Sequence, residues 1–160
     1  MRIMSVEQAV TASSSSIELP DGLTLQLGSW EQLAAPAKRV RFAVFVEEQA
    51  VPIEMELDDF DAVSTHAVVF NQESEPLATG RLLPDGHIGR MAVMASARGL
   101  GLGAQVLQAL IAQAKAQQFP EVVLSAQLHA MGFYQRFGFV AEGEVYLDCD
   151  IEHKDMRLVF

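Results

Sequence analysis

In the run Arg98-Gly99-Leu100-Gly101-Leu102-Gly103-Ala104, glycine occupies every second position, between an apolar stretch, Ile88 to Met94, and an amphipathic one. Glycine lets a backbone approach a ligand and adopt φ values that side chains resist. The first amides of a helix lack internal acceptors and attract phosphate. A strand, a glycine turn and a helix start in that order therefore form a candidate anion cradle, with Arg98 at its entrance. Three other features could move protons or hold charge. Tyr134 offers a phenol between Phe133 and Phe137, a spacing that equally suits a core aromatic. Seven acids without a Lys or Arg lie between Glu47 and Asp61: Glu47, Glu48, Glu54, Glu56, Asp58, Asp59 and Asp61. They form either a solvated loop or the wall of a cleft that attracts a cation. Glu48, Glu47 and His153 are candidate bases.

A glycine turn of this kind could hold a mononucleotide, a dinucleotide or the pyrophosphate of coenzyme A. The first needs a Lys-Ser or Lys-Thr pair after the last glycine, and Ala104-Gln105 stands there. The second finds its spacing in Gly99, Gly101 and Ala104. It then lacks the acid expected at the end of the next strand, where Ser125-Ala126-Gln127 stands. The mononucleotide reading fails, the dinucleotide reading is weakened, and the pyrophosphate of coenzyme A stays open as the third.

The elements that must position these residues follow from periodicity. Leu23, Leu25 and Leu27 alternate with Thr24 and Gln26 as in a half-buried strand, and Leu33, Ala37, Val40 and Val44 share one face of a helix over residues 31 to 48. His66 to Phe70, Leu77 to Leu83 and His87 to Met94 are β-favouring runs joined by short turns, an antiparallel meander. Leu102, Val106, Leu110 and Ala114 mark a second helix. A strand at Val122 to Leu124, a helix from Leu128 to Phe137 ended by Gly138, and strands about Val140 to Leu147 and Met156 to Phe160 complete the chain. The expected fold is α/β, a mixed and largely antiparallel sheet of about seven strands flanked by helices, in a single domain over 21–160. Residues 1–20, with four consecutive serines from Ser13, read as a flexible extension.

A chain of 160 residues, half of them apolar and a fifth charged, suits one soluble domain. The net charge of −10 argues against nucleic acid as a partner. Glutamines interrupt the longest apolar stretch, so no membrane span is expected, and with no signal-peptide pattern the expected location is cytoplasmic. The single cysteine, Cys149, reads as a small apolar residue, and no metal-ligand spacing exists. Arg81 and Arg90 read as surface or strand residues, His87 and His129 as turn and helix-start residues.

These motifs resemble those of the GNAT superfamily of N-acyltransferases. Its pyrophosphate loop is matched by Arg98, Gly101 and Gly103, with Gly99 also present, and its later motif by Gln127, Ala130, Tyr134 and Gly138-Phe139. The resemblance covers about residues 23 to 160. Val44 to Gln49 followed by Pro52, Glu56, Asp58, Asp61 and His66, with Tyr146 and His153, is similar to the ElaA-like branch. Ala95 stands where many members have proline, and Gln127 where many have asparagine.

The resemblance implies the GNAT acyl-CoA N-acyltransferase fold and an N-acetyltransferase in which a primary amine of a small molecule or peptide attacks acetyl-CoA directly, in a ternary complex. It implies that Met91, Ala92 and Val93 pair with the pantetheine arm and that the amides from Arg98 through Gly99, Leu100, Gly101, Leu102 and Gly103 to Ala104 hold the pyrophosphate. Gln127 and Tyr134 would line the cofactor, Tyr134 would protonate the leaving thiolate, and Glu48 would serve as base. Glu47, Asp58 and His153 would face the acceptor. No metal is implied, and a homodimer is compatible with the sequence. A non-catalytic acyl-CoA-binding or regulatory module with the same fold is the alternative, and retention of Tyr134 favours the enzyme.

Overall fold

The structure, a computed structural model, describes residues 14–160. Its strands are β1 (Ser15–Glu18), β2 (Thr24–Gly28), β3 (Thr65–Phe70), β4 (Pro76–Leu82), β5 (His87–Val93), β6 (Glu121–Gln127), β7 (Val140–Asp148) and β8 (Ile151–Val159). They form one sheet in the order β1-β2-β3-β4-β5-β6-β8-β7, in which only β5 and β6 run parallel. The sheet has eight strands because β1 pairs along β2, from Ser15 with Leu27 to Glu18 with Thr24. That strand falls inside the segment expected to be a flexible extension, whose first 13 residues lie outside the described ones.

Helix α1 (Trp30–Arg41) covers one face of the sheet. A capping box starts it: the Ser29 hydroxyl accepts from the Gln32 amide at 3.3 Å, and the Ser29 amide donates to the Gln32 side chain at 3.0 Å. Leu33, Ala37 and Val40 are buried from it, as the periodicity predicts. The helix expected to run to residue 48 widens after Arg41 into a π turn, Phe42–Glu48, in which the Gln49 amide reaches back five residues to the Val44 carbonyl at 3.0 Å. Val44 stays buried there while Glu48 and Gln49 are turned toward the end of β5.

A single helical turn, α2 (Ile53–Glu56), interrupts the acidic loop. Helix α3 (Leu102–Ala116) covers the opposite face, with Val106, Leu107 and Leu110 wholly buried. The two faces can be told apart on β3, where Val68 packs with Leu33 and Ala37 while its neighbours Ala67 and Val69 belong to the α3 core. The helix expected over 128–137 is a 3-10 turn, Leu128–Ala130, followed by the short α4 (Met131–Gln135). Strand β8 begins five residues earlier than expected, at Ile151. Its first half alternates with polar side chains, His153 and Asp155, and so hides from a search for apolar runs. Among the described residues, no helix is long and apolar enough to cross a membrane.

One irregularity governs the centre of the sheet. Thr79 pairs with Ala92 and Arg81 with Gly89, so Arg90 and Met91 on β5 stand opposite Gly80 alone on β4. Arg90 takes the left-handed φ of 49° at this bulge. Beyond it β5 leaves β6, to which it is paired only at His87 with Val123 and Ile88 with Leu124. Gly80 admits the bulge, since a Cβ there would lie 2.6 Å from Met91 Sδ and 2.8 Å from Val106 Cγ1. Gly80→Ala is therefore expected to lower unfolding free energy by about 1–3 kcal/mol through overpacking. The urea midpoint of the purified variant checks this, and an unchanged midpoint would show that α3 yields freely.

Candidate active site

The divergence of β5 and β6 opens a groove of about 750 Å³ through the sheet. Met91, Ala92 and Val93 form its β5 wall and Ser125 and Gln127 its β6 wall. Gly103, Phe133 and Tyr134 line it on the α3 side, and Phe45, Glu48, Gln49 and Met55 on the α1 side. The glycine turn stands at the β5 end. Gly99 and Gly101 have φ of 87° and 76°, and a Cβ on either would meet nothing within 4 Å, so this backbone is open to a ligand. Gly101 caps α3 without a side-chain bond, and among the described residues the amides of Leu102, Gly103 and Ala104 have no acceptor. Four residues at most can be left so at a helix start, and the macrodipole adds positive potential there.

Tyr134 reaches the groove from α4. Its ring is buried edge-on against Phe133 and Phe139, and its hydroxyl makes no hydrogen bond among the described residues. Burial pushes the phenol up to about 12, so it stays protonated through neutral pH. Gln127 exchanges amide bonds with Gln49 at 3.1 and 3.4 Å, tying the end of β6 to the π turn.

The charged residues differ from the sequence expectation. Arg98 does not point into the open turn. Its guanidinium grips both oxygens of Glu48 at 2.6 and 2.7 Å and donates from Nε to the Val93 carbonyl at 3.1 Å. The bond from Arg98 holds the Glu48 carboxyl below its usual range, which makes it a poor base in this arrangement. Glu47 is exposed and does not line the groove.

Asp58 borders the groove, but its oxygens are taken by Arg81 at 2.7 and 2.8 Å and by Arg90 at 3.2 Å. Asp58 thus holds the loop in place and is not a free acceptor-binding charge. It belongs to a buried network that sequence reasoning missed. Arg41 bonds both oxygens of Asp61 at 2.8 and 3.0 Å and also Glu56, while Arg81 shares Asp61 at 2.8 Å. Arg90 closes the network on the Glu56 carbonyl at 2.9 Å. Arg81 and Arg90 are strand residues, as one of the two expectations had it, with Arg81 buried and Arg90 half-buried in this network. A signal did exist in Arg41, which continues the buried face of α1 four residues after Ala37. His66 is structural too, donating from Nε2 to the Asp61 carbonyl at 2.9 Å, and burial lowers its basicity. His153 is buried at the groove wall and stacks on Tyr146.

A sheet parted at its one parallel pair, with open amides at the following helix and a phenol at the gap, is the arrangement in which the comparison with known families becomes decisive. The Acetyltransferase (GNAT) domain family matches residues 31–160. The chain belongs to this family. Within GNAT, the uncharacterized N-acetyltransferase YjcF of Bacillus subtilis is 35% identical over 130 residues, which cover 79% of this chain and 92% of YjcF. Protein ElaA of Escherichia coli is 32% identical over 127 residues, covering 74% of this chain and 82% of ElaA. Its crystal structure superposes with a TM-score of 0.74, covering 83% of this chain and 97% of that one. An acyl-CoA N-acyltransferase from Pseudomonas aeruginosa superposes with a TM-score of 0.76 at 35% identity, over 84% of this chain and 98% of that one. The expected fold and the ElaA-like kinship both hold, and the chain is a GNAT acyltransferase.

Asp58 gives the site a pH signature. The Arg81 guanidinium beside it holds its carboxyl at about 2 against an ordinary 3.8. A depressed carboxylate stabilises the fold above its ordinary pKa and loses that contribution as pH falls toward the folded value. Asp58→Asn is expected to be less stable than the parent at neutral pH, with the gap narrowing between about pH 4 and pH 2. Denaturant titrations at stepped pH check it, and a constant gap would mean that the charge of Asp58 does not matter.

Proposed function

We propose that this GNAT enzyme transfers an acetyl group from acetyl-CoA directly to a primary amine of a small molecule or peptide, with both substrates bound together. The observation that carries the reading is the unpaired edge of β5 beside the open amides of α3. A pantetheine arm, with its two amides, can add to Met91–Val93 as a short strand, because β5 beyond Ile88 makes no ladder bonds to β6. The diphosphate then lies at the start of α3, where Leu102 to Ala104 offer amides and a favourable dipole. The residues present thus fit the ligand. The thioester end of such an arm points along the groove toward Tyr134.

The chemistry asks little more of the chain. The amine attacks the thioester carbonyl, the C–N bond forms, the C–S bond breaks, and the sulfur leaves with the electron pair. Tyr134, kept protonated by burial, donates the proton that makes the leaving group a thiol. A cytoplasmic location, where acetyl-CoA is at hand, is part of the same proposal. The rival reading, a binding module without turnover, is disfavoured by the phenol that faces the groove without a partner. Amine-dependent thiol release, corrected for hydrolysis and run over a panel of alkylamines and peptides, separates the two, since binding without release supports the module.

Three expected outcomes test the parts. Tyr134→Phe should lower kcat by about 10²-fold or more while leaving the acetyl-CoA dissociation constant nearly unchanged, because it removes a proton donor and no binding contact. Full turnover would remove Tyr134 from the mechanism. In the parent, the alkaline fall of activity due to this phenol should lie above pH 10, since its titration is raised toward 12. Gly101→Glu should abolish cofactor binding by calorimetry, because a carboxylate would stand at the phosphate position on a backbone with φ of 76°. Unchanged affinity would move the diphosphate elsewhere.

A further inference from the structure

An alkylamine arrives as an ammonium ion with a pKa of about 10 and must lose a proton before it can attack. Of the carboxylates expected to take that proton, Glu48 is engaged by Arg98 and Glu47 stands outside the groove, while Asp58, expected to face the acceptor, is held by Arg81 and Arg90. We infer that His153, through Nε2, is the proton acceptor for the attacking amine, on the face of the sheet opposite Tyr134. The inference rests on the amine acetylation proposed above.

The hydrogen bond of the ring fixes its tautomer. His153 Nδ1 lies 2.7 Å from the Ile151 carbonyl oxygen, which can only accept, so Nδ1 carries the hydrogen. In the neutral ring Nε2 then holds the lone pair. Nε2 has no hydrogen-bond partner among the described residues and is not sealed from the groove that His153 lines. The ring is also held still. It stacks on Tyr146 with centroids 6.0 Å apart and planes 21° from parallel. The Tyr146 hydroxyl in turn donates to Asp155 at 2.7 Å and meets the Ser125 hydroxyl.

Strand register gives the face. His153 pairs with Gln127 and with Tyr146, and Asp155 pairs with Ser125, so these side chains share one side of the sheet. Leu124 and Ala126, which alternate with Ser125 and Gln127, lie on the other side in the core that contains Tyr134. The groove therefore meets a phenol on one face and a bare imidazole nitrogen on the other. Among the described residues, the other titratable groups on this groove are Asp148 on β7, Cys149 at the hairpin tip, Glu48 with Arg98, the network of Glu56, Asp58, Arg81 and Arg90, and His87 and His129, with Asp155 behind Tyr146.

The proton count closes. Nε2 takes one proton from the ammonium ion, and the free amine attacks the carbonyl carbon. Collapse breaks the C–S bond, the sulfur takes the Tyr134 proton, and the second proton of the new C–N nitrogen restores Tyr134. Amide and thiol leave, and His153 returns its proton to water.

The test compares two acceptors at about pH 7.5. One is the fastest alkylamine of the panel, and the other is methoxyamine, which arrives neutral and needs no base. In His153→Gln, kcat/KM for the alkylamine should fall about 10²-fold and for methoxyamine at most about 3-fold, and the acid limb of the alkylamine pH profile should vanish. Circular dichroism and acetyl-CoA calorimetry establish that the variant is folded and loaded. His153→Asn provides the same comparison if glutamine disrupts β8. Equal losses for both acceptors, no loss for either, or a surviving acid limb would overturn the assignment. A normal His153→Gln beside an inactive Tyr134→Phe would sink this assignment alone. No alkylamine turnover by the parent would sink the acetylation reading with it.

Discussion

The site depends on the failure of β5 to stay paired on both sides. Along β4 it is held by a normal antiparallel ladder except where Arg90 and Met91 crowd opposite Gly80. A bulge adds a residue and bends its strand. Since β6 runs parallel and continues to Gln127 without following it, the bend opens a wedge that widens toward Val93 and Gln127. Backbone groups left unpaired in a protein interior carry a cost that a ligand can relieve, so the gap that breaks the sheet also makes an edge fit for an extended amide chain. Gly80 permits this because any side chain there would collide with Met91 and Val106.

The bulge is held in turn by charge. A left-handed φ on a non-glycine residue costs about 1–2 kcal/mol. At Arg90 that conformation sends the side chain back across the strand to the Glu56 carbonyl and Asp58. Charge-assisted bonds of this kind each contribute more than neutral ones and can offset the strain. Arg41 and Arg81 complete the arrangement by neutralising Glu56 and Asp61 in the interior. Three of the seven loop acids are thereby consumed as structure. What the strap presents to the groove is largely apolar, with Val51, Met55 and Phe60 beside the paired Asp58. The net charge of the chain and the charge of its cleft are separate matters.

Much of this was legible in the sequence because it is local. The glycine turn, the helix after it, the meander of β3 to β5 and the spacing of Tyr134 all follow from residues close along the chain. What was hidden is long-range or polar. Arg41 and Asp61 are 20 residues apart, and Arg90 and Glu56 are 34 apart, so nothing in a short window pairs them. The early half of β8 was missed because the buried His153 and the exposed Asp155 are polar and break the apolar pattern. The π turn after Arg41 keeps the spacing that buries Val44, so periodicity alone could not separate it from an α-helix. Strand β1 was missed because Ser15 and Ser16 pair only through their backbone, and all four of its residues are exposed.

Arg98 keeps its place at the turn but turns its charge elsewhere. It opens the glycine turn, as a phosphate ligand would, and yet it holds Glu48 by two bonds. Both side chains are close to half exposed, and an ion pair so placed contributes about 0–1 kcal/mol. The same weakness means that the pair cannot anchor the loop, which is fixed instead by the Arg98 Nε bond to Val93 and by Ala97 in the core. The loop is therefore built on backbone and burial, and its one cation is paired with Glu48 across the groove mouth.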